Sequence, residues 1–260
     1  MSLVELRVRQ RRGTVALAAR ETRRVLSLWT QTILPPVLTG VLFLAVFGGA
    51  LGRRIHEVEG LRYASFILPG LLVMTVAGQA FANCSTSLFQ AKNEGYIEDV
   101  LSSPLRPGQI ALSYVAAGML RGLSAVLIIA ALALPFADEG ANPALTAVVL
   151  LCAGLLFSAL GVITGMWADT FDQHAFIANV VITPVALVGG VFYSAQSLTQ
   201  PWRTLTRLDP LYYVVDATRA GLTGVHESPT WLSVAVVAAT AAASFLVASR
   251  LTARGWRLKA

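Results

Sequence analysis

The chain has 260 residues, of which 55% are hydrophobic and 13% charged, about half the charge of an ordinary soluble domain. A water-soluble fold of this length would need far more polar surface, so the surplus apolar surface must face lipid. The net charge of +6 would suit nucleic acid, but its basic residues fall between apolar runs, where they read as a topology signal.

The N-terminal segment holds Arg7, Arg9, Arg11, Arg12, Arg20, Arg23 and Arg24 and has no signal-peptide cleavage pattern. Within it Val15, Ala18, Thr22, Val25, Leu26, Trp29 and Ile33 fall on one helical stripe, with Arg20, Arg24 and Ser27 opposite. That pattern predicts an amphipathic helix lying in the membrane plane. Six apolar runs follow, giving expected spans at 33–52, 64–89, 109–135, 144–167, 176–193 and 231–250. Their continuity favours helices over the alternation of a barrel. Thirteen Lys and Arg lie on the side of the termini and six on the other, which predicts both termini in the cytoplasm.

Between the second and third spans runs Lys92-Asn93-Glu94-Gly95-Tyr96-Ile97-Glu98-Asp99-Val100-Leu101, closed by Pro104 and Pro107. Glu94 and Glu98 are one helical turn apart, with Ile97, Val100 and Leu101 forming an apolar face. Two readings stay open for this segment, a docking helix and a solvated connector. Arg121 lies halfway along the third span between Gly118 and Gly122, so it lines a transport path or serves bundle packing. Gly48/Gly52 and Gly161/Gly165 repeat the Gly-x-x-x-Gly spacing. The segment 192–229 mixes Phe192, Tyr193, Trp202, Tyr212 and Tyr213 with Pro201, Asp209, Pro210, Asp216 and Arg219. It is too interrupted to span twice and too apolar for a free loop, which leaves a re-entrant helix pair or a folded external cap.

Catalytic signatures are missing: there is no HExxH, GxSxG or SxxK, and His56, His174 and His226 are far apart. No cofactor or metal site is expected on the chain. Cys84 and Cys152 sit in apolar runs and read as small buried side chains. The two lysines, Lys92 and Lys259, follow no glycine, so the Gly-Lys of a phosphate-binding loop cannot form.

Three motifs in this order resemble the ABC-2 type transporter permease family: Phe66-Ile67-Leu68-Pro69-Gly70, then Glu94 to Pro107, then Gly189-Gly190-Val191-Phe192-Tyr193-Ser194 with Leu208-Asp209-Pro210-Leu211-Tyr212-Tyr213 up to Arg219. The similarity covers nearly the whole chain and is strongest to branches exporting antibiotics, nodulation factors and lipid-linked polysaccharides. The resemblance implies an all-α integral membrane fold: one transmembrane domain over 1–260, with an interfacial segment at 1–30, a six-helix bundle at 33–250 and a tail at 251–260. It implies a half-transporter of the bacterial inner membrane, paired with a second copy of itself or a similar permease. ATP and Mg would be bound by a separate cytoplasmic ATP-binding-cassette ATPase subunit. The family's coupling helix maps onto 93–103, its in-plane helix onto 15–30 and its short re-entrant helices onto 196–223. Where the family often has Asn-Pro, this chain has Asp209-Pro210. An ion-gradient-driven secondary transporter is the alternative, but every acidic residue is expected outside the spans. An intramembrane enzyme would need a paired nucleophile and base, and a non-transporting anchor is the remaining rival.

Overall fold

The computed structural model describes residues 3–51, 57–133 and 142–258. α1 (Leu3–Ser27) carries the N-terminal arginines. The chain then turns at Leu28 and at Ile33, setting off a single helical turn, α2 (Trp29–Thr32), from α3 (Leu34–Phe43), which runs on as a π-helical stretch, Leu44–Leu51. The second turn has a cause in the sequence. Pro35 and Pro36 offer no N–H to the carbonyls of Gln31 and Thr32, and their rings crowd them. Thr32 covers the first turn, its hydroxyl donating to the carbonyls of Val25 (2.9 Å) and Leu28 (3.0 Å). The helix expected to run to Ile33 therefore stops at Ser27, and Trp29 and Ile33 belong to the first span.

The stripe on α1 also needs correcting. Its buried face is Gln10, Leu17, Glu21 and Val25, whereas Val15, Leu26 and Trp29 are exposed. Arg24, expected on the water side, turns into the bundle, where its Nη2 donates to Asn83 Oδ1 and its Nη1 to Gln90 Oε1, both at 3.4 Å.

A short hairpin, β1 (Glu57–Val58) and β2 (Leu61–Arg62), pairs Val58 with Leu61 across Glu59-Gly60. Both turn residues have positive φ (52° and 77°), as a two-residue turn matched to strand twist requires. α4 (Tyr63–Asn93) has 31 residues, a length of roughly 46 Å at the α-helical rise. That exceeds the ~30 Å of bilayer hydrocarbon, so α4 projects beyond it. It is buried along nearly its whole length and forms the axis of the bundle.

After α5 (Ile97–Ser102) come α6 (Pro107–Ala133) and α7 (Pro143–Trp167), which flank that axis. The Gly-x-x-x-Gly spacing explains how closely. A Cβ on Gly118 would lie 2.3 Å from Cys84 Sγ, and one on Gly161 would lie 2.5 Å from the carbonyl oxygen of Phe81. Gly122 and Gly165 meet α4 in the same way, so both flanking helices touch its backbone. Gly52 lies outside the described residues.

The fifth span is built from α8 (Phe171–Phe176), a π-helical stretch (Ile177–Ile182) and α9 (Thr183–Val188). It sits five residues earlier than the sequence suggested. Thr170 caps its start by accepting from Gln173 N–H, and Asp172 is tolerated in the first turn, where the helix dipole favours a carboxylate. Gly190, at φ 77°, stops the chain from continuing as helix. Asp172 is thus inside the helical segment, at its exposed edge.

α10 (Trp202–Leu208) and α11 (Pro210–Thr223) precede the last span, α12 (Thr230–Ala253). Among the described residues six helical segments are long and apolar enough to cross a membrane: Trp29–Phe47, Tyr63–Asn93, Pro107–Ala133, Pro143–Trp167, Phe171–Val188 and Thr230–Ala253. The first, fifth and sixth expose apolar side chains such as Leu38, Leu42, Phe176, Val180, Trp231 and Leu246.

Candidate functional site

Three polar sites interrupt this apolar bundle. The first lies at the end that carries α1, α5 and the C-terminal tail. Gly95, at φ 80°, ends α4 and separates Glu94 from α5, so Glu94 and Glu98 do not share a helix as expected. The apolar side of α5 is also taken. Ile97 (2% exposed) and Val100 (7%) are packed in one cluster with Leu17, Leu88, Ile110 and Tyr114. They anchor α5 to its own bundle. Leu101 and Tyr96 are half-buried, and Glu94, Glu98 and Asp99 point outward. What α5 offers a partner is an acidic edge on a fixed base.

Beneath it lies a network that the residue pattern did not reveal. Glu21 is 2% exposed and accepts from the hydroxyl of Ser87 at 2.5 Å. Arg20 reaches the other carboxylate oxygen at 2.9 Å, and Arg24 approaches at 3.5 Å. The Arg20 guanidinium also lies over the Tyr96 ring, 4.9 Å from its centroid. One carboxylate so ties α1 to α4 and, through Arg20, to the start of α5. The only signal in the sequence was a lone acid among arginines with a partner three residues on. At the same end Lys92 Nζ donates to Asp169 (2.8 Å) and to the carbonyl of Met166 (3.0 Å), and Arg257 closes on Asp169 at 3.4 Å. The Lys92 ammonium holds the Asp169 carboxyl below its ordinary pKa.

The second site lies at the opposite end. Arg219 of α11 is 1% exposed. Its Nη2 donates to the carbonyl of Gly190 at 2.9 Å, and its guanidinium lies over the Phe66 ring, 4.1 Å from the centroid. Glu227, equally buried, faces it at 3.6 Å. Burial, and after it the nearby Glu59 carboxylate, push the Glu227 carboxyl up. Asp216 accepts from the N–H groups of Glu227 (2.7 Å) and Ser228 (3.2 Å) and from the Ser233 hydroxyl (3.0 Å). Ser194 donates to Glu59, linking the hairpin to the same cluster. The motifs around Phe66, Gly190 and Arg219 are far apart in sequence and meet here. Gly70 belongs to the same contact, since a Cβ there would lie 2.7 Å from the Val191 backbone. Phe192 packs on Phe47 (centroids 5.5 Å apart), and the Tyr193 hydroxyl donates to the carbonyl of Val188 at 2.5 Å. Tyr212 reaches Ser228 at 3.0 Å. Glu59 and Glu227 had no motif to mark them.

Asp209 caps α11, its Oδ1 accepting from Leu211 N–H at 2.9 Å, and Pro210 takes the first helical position, where a missing N–H costs nothing. Its second oxygen is buried without a hydrogen-bond partner. Burial pushes this carboxyl up to about 6.

The third site is Arg121, within α6. Its Nε donates to Gln79 Oε1 at 3.1 Å, and it lines a cavity of about 350 Å³ between α2, α3, α4 and α6. A charge at the centre of a span costs roughly 2.5–3.5 kcal/mol on insertion scales, and less near the headgroup layer. Among the described residues no carboxylate pairs with it, and no group of three or more His, Cys, Asp or Glu side chains could hold a metal ion.

The family model for ABC-2 type transporters matches residues 12–223. The inner membrane transport permease YadH of Escherichia coli (strain K12) is 34% identical over 242 residues, covering 93% of this chain and 94% of that protein. Nodulation protein J of Rhizobium leguminosarum bv. viciae is 23% identical over 89% of this chain and 92% of its own length. Nodulation protein J of Rhizobium meliloti (strain 1021) is 22% identical over 89% and 91%. With six apolar helices among the described residues, the first and third motifs meeting around Arg219 and a family match over most of its length, the chain belongs to the ABC-2 type transporter permeases.

Proposed function

We propose that this chain is the membrane-embedded subunit of an exporter whose ATP is bound and hydrolysed, with Mg, by a separate ATP-binding-cassette subunit. The end with α1, α5 and the C-terminal tail is cytoplasmic, as the excess of Lys and Arg on that side supports. The membrane is the bacterial inner membrane, the location in the name of its Escherichia coli relative. Two copies pair through the spans whose apolar faces are left uncovered, the first and the fifth above all. The cargo is amphipathic, hydrophobic or lipid-linked, such as a drug, glycolipid or polysaccharide, since few charges line the spans.

One observation carries the coupling role: α5 presents Glu98 and Asp99 outward, with Glu94 exposed just before it, while Ile97 and Val100 lock it to α4 and α6. A lever must be stiff at its base, because nucleotide shifts a conformational equilibrium only through contacts that differ between states. α1, bound to α4 through Glu21, supports that base as an in-plane helix, and α10 with α11 forms the re-entrant pair on the outside. The test is Glu98→Lys with Asp99→Lys in the complex assembled with its ATPase. Complex formation and lipid-dependent ATP hydrolysis should both fall. Unchanged assembly and hydrolysis would remove the coupling role from this edge.

A further inference from the structure

α4 is buried along almost its whole length, yet Met74, Thr75, Gly78, Gln79 and Ala82 are only half-buried. These residues recur at helical spacing and form one open strip. The strip faces the cavity of about 350 Å³ whose other walls are Gln31, Pro35, Pro36, Thr39, Gly40 and Phe43 of the first span and Arg121 of α6. That volume falls in the range of small-ligand sites. Its chemistry is two-sided. Gln31, Thr39, Thr75, Gln79 and Arg121 supply polar groups, and Pro35, Phe43, Leu71 and Met74 supply an apolar wall.

Arg121 spends only its Nε on the protein, in the bond to Gln79; its two terminal amino groups have no protein partner among the described residues. The buried carboxylate of the network under α5, Glu21, is engaged by Arg20, Arg24 and Ser87. Depth matters as well. Arg24, at the end of α1, touches Asn83 and Gln90 of α4. Gln79 is one turn further along, about 6 Å. With α1 in the membrane plane, Arg121 therefore sits just below the headgroup layer on the α1 side, where an anionic headgroup can descend to it.

We propose that this cavity binds the anionic headgroup, phosphate or carboxylate, of an amphiphile whose hydrocarbon chain lies along Pro35, Phe43, Leu71 and Met74. A guanidinium with two free amino groups matches two oxygens of such a group. The inference rests on the permease reading for its meaning, since it narrows the cargo or resident lipid to anionic amphiphiles. Its test stands apart from that reading because it needs no ATPase.

The measurement is native mass spectrometry of the full chain in a neutral maltoside detergent, offered equal phosphatidylglycerol and phosphatidylcholine. The wild type should retain phosphatidylglycerol over phosphatidylcholine by about tenfold, the scale of a charge-assisted hydrogen-bonded pair. Arg121→Gln should bring the ratio to parity, while Arg121→Lys keeps part of it and Arg207→Gln, at an exposed site far from the cavity, keeps all of it. Dodecyl phosphate should displace the bound lipid; inorganic phosphate at the same concentration should not. Adding the ATPase and ATP then separates sources: release marks cargo and retention marks a resident lipid, each of them an occupied headgroup site. Parity in the wild type, an undiminished ratio in a folded Arg121→Gln, or equal displacement by inorganic phosphate would overturn the proposal. Should Arg121→Gln fail to fold, Thr75→Trp, which fills the cavity and leaves the charge, must lower lipid retention instead.

Discussion

Asp209 offers a quantitative check on the end of the bundle opposite α5. Its folded-state pKa of about 6 lies roughly two units above the ordinary carboxyl value of 3.8, chiefly because burial disfavours the charged form. The folded protein therefore binds a proton that the unfolded chain releases between those two values. Stability from this group is constant below about 3.8, falls as pH rises through the window, and is constant again above about 6. Two units correspond to ~3 kcal/mol, and part of this is lost because the side chain is not fully enclosed, leaving about 1–2 kcal/mol. Asp209→Asn keeps an oxygen to accept from Leu211 N–H and removes the titration. Thermal unfolding of both proteins in the same detergent, at one scan rate, should give equal midpoints near pH 3.5, below both values. At pH 7.5 the variant should be higher by a few degrees. Because every other group is shared, the difference between the two curves isolates this carboxyl. Parallel curves from pH 3.5 to 7.5 would refute the reasoning.

Arg219→Ala should cost about 3–5 kcal/mol, because it strands the buried Glu227 carboxylate and strips the cation from Phe66; adding Glu227→Gln should return part of that loss in a double-mutant cycle read by unfolding. Gly161→Leu drives a side chain into the Phe81 carbonyl, and a destabilisation of about 1–3 kcal/mol or lost expression of folded protein is expected. Ile97→Ala should destabilise by about 2–5 kcal/mol, whereas Glu98→Ala should stay within about 0.5 kcal/mol, so a thermal scan separates the anchor of α5 from its exposed edge.

The spans were legible because lipid imposes one requirement on every residue of a segment, and a run of apolar residues declares it. The glycine pairs were legible for a related reason: close helix approach needs the smallest residue at a fixed repeat, as Gly118 and Gly161 show. What stayed hidden depended on single contacts between distant segments. Nothing around Glu21 in sequence announces Ser87, and nothing around Glu227 announces Arg219. The segment around α5 left a different question open. An amphipathic pattern shows that one face is buried, but it leaves open whether the cover is the chain itself or a partner. Here Ile97 and Val100 are covered by the chain. Residue composition also could not place the break before Trp29, because Thr32 satisfies the Val25 carbonyl by a hydroxyl rather than by the backbone.

The two polar clusters stand at opposite ends of one helix, and this bears on how the bundle can move. Ser87, Gln90 and Lys92 of α4 engage the cluster under α5, while Phe66 and Gly70 engage the one around Arg219. Between them α6 and α7 touch the α4 backbone through glycines, leaving no loose packing to absorb a displacement. Tightly packed elements switch between arrangements and do not deform gradually. A push on α5 would therefore displace α4, α6 and α7 together, and the cluster around Arg219 with them. The first and fifth spans are different: they are short, interrupted by prolines or π-helical turns, and exposed on their apolar faces. They are the elements whose positions can change against a rigid core. The cavity at Arg121 has the first span as one wall and that core as the other, so the same displacement that moves the span must reshape the site for the headgroup.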